Sequence, residues 1–216
     1  MLVVVQARTS SHRFPKKILH KIYGKTLIEH VILKINKSKN ISNIVVATSS
    51  SKSDDLLVDI LKKNKIKYFR GSLKNVSKRL LDVAEKYKKK YFIRINADSP
   101  LIDFKLIDRS IKILKNSYNK EYDLITNAFP RFFPPGQSVE IIRTKTLKKN
   151  IKKMNKFELE HVTKYFYNNY QKFLIKNFSA KKRLINIKLS VDTKKDLQLI
   201  LKKVKKKQFD NFTILK

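Results

Sequence analysis

The chain has 216 residues, 42% of them hydrophobic, which is enough for one folded domain with a real core and too apolar for a disordered chain. It holds no cysteine, which excludes disulfides, thiolate nucleophiles and cysteine-ligated metal centres and fits a cytoplasmic protein; no apolar run reaches bilayer-spanning length. The 51 Lys+Arg against 17 Asp+Glu give a formal net charge of +34, which suggests an anionic partner, but the lysines are spread over every element as a compositional bias would spread them.

Residues 2–5 (Leu-Val-Val-Val) read as a short buried strand. The strand runs straight into a polar loop carrying Arg8, Ser10, Ser11, Arg13, Lys16 and Lys17. Clustered cations, hydroxyls and loop N–H groups at one sheet edge suit a polyphosphate. Gly24 and Lys25 then make a turn, and Thr26 with Glu29 forms a capping box. The helix it opens places Leu27, Ile28, Val31, Ile32 and Ile35 at helical spacing.

Residues 44–48 read as a second buried strand ending in the serines 49–51. Ser53 opens a helix with Leu56, Leu57, Ile60 and Leu61 inward, and residues 67–70 form a short strand before Gly71. Val76, Leu80, Leu81, Ala84 and Tyr87 mark the next helix. Residues 91–95 are a strong strand, followed by Asn96, Ala97, Asp98, Ser99 and Pro100, and Asp103 caps a further helix. Strands are expected at 123–126 and 138–143, separated by a Pro/Phe-rich loop at 127–136. Thr144 starts a helix, and a single helix over 157–169 carries Glu160, His161 and Thr163. Late strands at 173–178 and 185–191 precede a closing helix over 193–206.

Short apolar strands alternating with helices predict an α/β fold: a doubly wound, mostly parallel, Rossmann-like sheet with a small mixed antiparallel portion. The chain reads as one domain, 1–216, with a nucleotide-binding half over 1–126 and a mixed half over 127–216. Ligands of such sheets bind beyond the carboxyl ends of the strands, so Arg8, Ser49, Asp98 and Asp192 are expected to converge. Two aspartates from separate segments suit a Mg²⁺ that also binds phosphate oxygens and water. The same residues also read as a helix cap at Asp192 and a turn brace at Asp98.

Taken together, the opening order of strand, Gln-Ala-Arg, serine, Arg13, Pro15 and Lys17 resembles the sugar cytidylyltransferases. These include the CMP-KDO and acylneuraminate synthetases, and the similarity is strongest to the spore coat polysaccharide F type. Further matches follow in family order: residues 44–48, 69–72, the run from Arg94 through Asp98 to Asp103, and 127–136. Val139-Glu140, Glu160-His161-Val162-Thr163 and Val191-Asp192-Thr193 complete the set, which covers nearly the whole chain. The chain departs from the family at Ser10, Lys16 and Ala97, where glycine is usual, at Ser138, where aspartate is, and at Lys194 and Lys195.

The resemblance implies a Mg²⁺-dependent transfer of CMP from CTP to a sugar or sugar acid, with release of pyrophosphate. Arg8, Arg13 and Lys17 would act on the phosphates, and Asp98 and Asp192 would hold the metal. Ala7, Ser11, Ser49 and Arg94 would join them around the nucleotide, with the backbone at 5–7 and Ser49 near the base. Arg131, Glu140, Glu160 and His161 are candidates for the acceptor pocket in the second half, through which a homodimer is also implied. Two rival readings are a glycosyltransferase of the same fold using a nucleotide sugar and a basic nucleic-acid-binding protein.

Overall fold

A computed structural model describes all residues except Asn119, Lys182, Ile185, Asn186 and Lys216. Strand β1 (Leu2–Gln6) lies at the centre, and a small hairpin of β2 (Lys21–Ile22) and β3 (Lys25–Thr26) leads into α1 (Leu27–Ile35). Thr26 and Glu29 form the expected capping box. Then come β4 (Asn43–Ser49), α2 (Asp55–Lys63), β5 (Tyr68–Gly71), α3 (Val76–Lys86), β6 (Tyr91–Asn96) and α4 (Phe104–Lys115). The second half holds β7 (Leu124–Thr126), β8 (Glu140–Arg143), α5 (Thr144–Asn150), α6 (Lys156–Glu160), α7 (Lys164–Asn168), β9 (Ile175–Asn177), α8 (Lys194–Lys203) and α9 (Lys206–Asp210).

One seven-stranded sheet runs in the order β5-β4-β1-β6-β8-β7-β9. The first four strands are parallel, β8 is antiparallel to both of its neighbours, and β9 returns parallel to β7. Both faces are covered. Val3 and Val5 of β1 pack with α1, α2 and α4, whereas Leu2 and Val4 pack with α3 and α5. This burial on both sides is why the central strands carry unbroken apolar runs rather than alternating ones.

A third apolar cluster joins Phe14 of the first loop to Ile22, Leu27 and Leu101, and to Leu189, Val191, Ile200, Val204 and Phe209 near the chain's end. It brings the last segment back over the carboxyl ends of the central strands. Gly136 makes this return possible. Its φ is +95°, and a Cβ there would fall 2.4 Å from the carbonyl carbon of Leu189.

Three expected elements differ. The helix over 157–169 is broken at residues 161–163, where Val162 is buried and Thr163 Oγ1 donates to Glu140 at 2.8 Å, turning the chain away from the helix axis. The strand over 185–191 does not form: Ile185 and Asn186 lie outside the described residues, and 187–191 make no ladder. There, Leu189 N–H bonds the Pro135 carbonyl and Val191 N–H the Asp98 carbonyl. The closing helix is shorter than expected, because Val204 turns extended before α9 begins.

Candidate active site

The loop after β1 is anchored from beneath by Asp54, which is fully buried. Its carboxylate accepts bonds from the amide and hydroxyl of Thr9, both at 2.7 Å, and from the Thr48 hydroxyl at 2.9 Å. The amide of Ser49 donates at 3.0 Å and its hydroxyl donates as well. Burial opposes the Asp54 charge, but the bonds from Ser49 and Thr9 outweigh it and hold the carboxyl below its ordinary pKa. Ser49 is therefore corrected: it is fully buried and bound to Asp54, and it forms no part of the cavity wall. Its place is under the loop.

At Lys16 the backbone turns left-handed, with φ 55°, which is the physical reason glycine suits this position. The turn aims Lys17 inward. Its side chain is 13% exposed, and Nζ lies 2.8 Å from Asp98 Oδ2 and 3.2 Å from Asp192 Oδ1. Arg13 reaches Asp192 Oδ1 at 3.3 Å, and Lys188 holds the other oxygen at 2.8 Å. Burial opposes the Asp192 charge, but Lys188 and Lys17 prevail and keep its pKa low.

Neither aspartate is spent as a cap. Thr193 caps α8 with Asp196 completing the box, and Asp103 caps α4. Asp192 does not close a strand as expected; the Asp196 carboxylate accepts its amide at 2.9 Å and fixes the turn.

These residues line one cavity of about 400 Å³. Its lining includes Ala7, Arg8, Ser11, Arg13 and Lys17 from the first loop together with Arg94, Asp98 and Asp192. Arg8 pairs with Glu160 at 2.5 Å, with both side chains partly exposed. Arg94 lies between the halves. Its guanidinium is engaged by Glu140 and by Gln6 Oε1 at 2.9 Å, so it stiffens the wall.

Arg94, Asn96 and His161 are shared with a second cavity of about 360 Å³. Of the acceptor candidates, Arg131, Glu140 and His161 line this one, whereas Glu160 lines the first. Both terminal nitrogens of Arg131 donate to Ser138 Oγ at 3.1 Å. Burial lowers the His161 pKa, with Glu160 opposing and Arg94 and Arg8 adding to the shift.

Sequence reasoning missed three residues here. Tyr167 donates to Glu140 Oε1 at 2.6 Å and stacks on Phe129 with ring centroids 4.7 Å apart, forming an aromatic wall. Burial and the Glu140 charge push the Tyr167 phenol well above its usual pKa. Arg79 is fully buried, and Nη1 donates to the Ser72 carbonyl, but Nε and Nη2 have no partner. Its one sequence signal is its position, three residues after Val76 and four before Val83, on the apolar face of α3.

No group of three or more His, Asp or Glu residues gathers as a metal cage among the described residues. Two carboxylates converging on one cation beside a basic cavity do fit a hard divalent ion whose other ligands are phosphate oxygens and water. No helix among the described residues is long and apolar enough to cross a membrane.

The family model described as Cytidylyltransferase matches residues 2–215. An uncharacterised protein of Methanocaldococcus jannaschii is 32% identical over 202 residues, covering 92% of this chain and 80% of its own. The spore coat polysaccharide biosynthesis protein SpsF of Bacillus subtilis is 30% identical over 209 residues, covering 93% and 84%. A solved cytidylyltransferase of Leptospira borgpetersenii is similar with a TM-score of 0.87 at 30% identity, covering 96% of this chain and 89% of that one. With the family model spanning almost the whole chain, this chain belongs to the cytidylyltransferase family.

Proposed function

We propose that this protein transfers CMP from CTP to a hydroxyl of a sugar or sugar acid and releases pyrophosphate, in the synthesis of a surface polysaccharide. The observation that carries the reading is the meeting of Asp98 and Asp192 at Lys17 in one cavity that Arg8 and Arg13 also line. The acceptor hydroxyl gives up its proton to solvent, and its oxygen forms a bond to the α-phosphorus as the bond to the pyrophosphate oxygen breaks. Such a transfer asks little covalent work of the protein and much positioning and charge stabilisation.

Arg8, Arg13 and Lys17 neutralise the β- and γ-phosphates and the charge growing on the leaving group. Asp98 and Asp192 hold Mg²⁺, which when bound supplies charge stabilisation at the α-phosphate. The second cavity suits the acceptor. It adjoins the first along Arg94, Asn96 and His161, and it combines hydrogen-bonding groups with the aromatic wall of Phe129 and Tyr167. The spore coat role of the Bacillus relative supports the polysaccharide assignment.

The test is release of pyrophosphate from CTP against a panel of sugars and sugar acids with Mg²⁺. Acceptor-dependent pyrophosphate is the expected result. A free nucleoside diphosphate released from a nucleotide sugar would assign glycosyl transfer instead. Steeply salt-dependent binding to duplex nucleic acid without CTP binding would assign the basic surface its own role.

A further inference from the structure

The chain supplies its own cation to the paired aspartates. Lys17 is the sole cation in contact with Asp98 among the described residues, and it also touches Asp192. Arg13 and Lys188 reach Asp192 but not Asp98; Lys188 sits on the oxygen that Lys17 does not use and also pairs with Asp196. One ammonium, that of Lys17, therefore bridges the two carboxylates, with the Arg13 guanidinium also on its Asp192 oxygen. A divalent ion drawn to the same oxygens would be pressed against that ammonium, and like charges in a partly dry site repel strongly.

The backbone of Lys17 is set in a short 3-10 turn, Lys17–Leu19. Its four-carbon stem leaves the ammonium free to swing. Lys17 lines the same cavity as Arg8, Ser11 and Arg13, where phosphate oxygens would offer the ammonium another anionic partner.

We propose that Lys17 is a built-in counter-ion that competes with the divalent cation for Asp98 and Asp192. A nucleoside triphosphate admits the cation by drawing the ammonium onto its phosphates. Metal and triphosphate then bind with positive coupling, and each strengthens the other by the same factor. This rests on the metal role given above to the two aspartates.

The test is Mn²⁺ binding to the whole, nucleotide-free protein, read from the electron paramagnetic resonance of free Mn²⁺. Lys17→Met removes the competitor, and its Mn²⁺ affinity should rise about tenfold, within the range usual for coupled sites. Lys17→Gln, also neutral but still a donor, should behave alike and serves if the methionine variant does not fold. Lys17→Arg keeps the charge and should bind Mn²⁺ as weakly as the wild type. Adding Asp98→Asn to Lys17→Met should abolish the gain.

Equal Mn²⁺ affinity in the wild type and both neutral variants would overturn the proposal. Thermal stabilisation of the wild type by CTP with Mn²⁺ separates the two levels. Stabilisation without any gain in the neutral variants refutes the exchange and leaves the proposed function standing. No stabilisation by CTP refutes both.

Discussion

The amide of Val191 donates to the carbonyl of Asp98 at 2.9 Å. One backbone bond thus fastens the segment that carries the second aspartate to the residue that is the first. Asp98 is fixed at the end of β6 because Ala97 N–H bonds the Gln6 carbonyl of β1. Asp192 has no strand of its own, and it inherits its position through this bond and through the apolar cluster around Leu189 and Val191.

Asp98→Asn should lower pyrophosphate release from CTP by at least about a hundredfold, the scale of losing one preorganised electrostatic group. Its ion pair with Lys17 is partly exposed, so stability should fall by no more than about 1 kcal/mol, or about 3 °C in Tm. Turnover and melting measured on the same preparation check both. Wild-type turnover in the variant would remove Asp98 from the chemistry.

Gly136→Ala should act on the site from a distance. The added Cβ meets the Leu189–Ser190 backbone at 2.4–2.6 Å, and φ +95° costs alanine about 1–2 kcal/mol. The segment leading to Asp192 must shift, so kcat should fall together with Tm. By contrast, Gly24→Ala, also at positive φ but with nothing within 4 Å of its Cβ, should lower Tm alone. Equal kcat in the two variants would contradict the route through Leu189.

Asp54 makes the loop's anchor sensitive to acid. Its folded pKa lies below the ordinary 3.8 of an aspartate, so its stabilisation is present above that pH and is lost as pH falls through the folded pKa. Asp192 and Asp196 are shifted in the same direction. These carboxylates should make stability fall below about pH 4, beyond a smaller loss that begins as pH drops through 6.5, where His161 takes up a proton more readily in the unfolded chain. Asp54→Asn should cost about 2–3 kcal/mol at pH 7, the scale of a charged hydrogen-bond acceptor lost from a buried site. The gap between the two proteins should narrow in acid, which denaturant unfolding at several pH values measures.

The parallel half of the sheet was readable because burial on both faces leaves unbroken runs such as residues 2–5 and 44–47. The Thr26–Glu29 box was readable because a cap is local. Arg8, Arg13, Lys17 and Asp98 follow strand ends, and topology alone brings such residues together. Ser49 misled for the same reason: it ends β4, but whether its hydroxyl faces a cavity or the buried Asp54 depends on tertiary packing. Arg79 was hidden among the many cations of the chain, because a buried guanidinium and a solvated one look alike in sequence. The break at His161 was invisible because the apolar spacing continues across it from Phe157 to Phe166.

Glu140→Gln tests whether the wall between the two cavities is electrostatic. The Arg94 and Glu140 side chains are 10% and 5% exposed, so the pair is buried. Glu140 also accepts bonds from Thr163 and Tyr167. Removing its charge strands the Arg94 guanidinium away from water, and breaking a buried pair from one side costs about 3–5 kcal/mol. Replacing both partners, as Arg94→Met with Glu140→Leu, removes the stranded charge along with the pair and should recover most of that loss. Tyr167→Phe deletes one bond to Glu140 and should cost about 1 kcal/mol. Denaturant unfolding of the four proteins gives the comparison. A double variant no more stable than Glu140→Gln would mean that the wall depends on the shape of these side chains, since removing the unpaired charge would then have restored nothing.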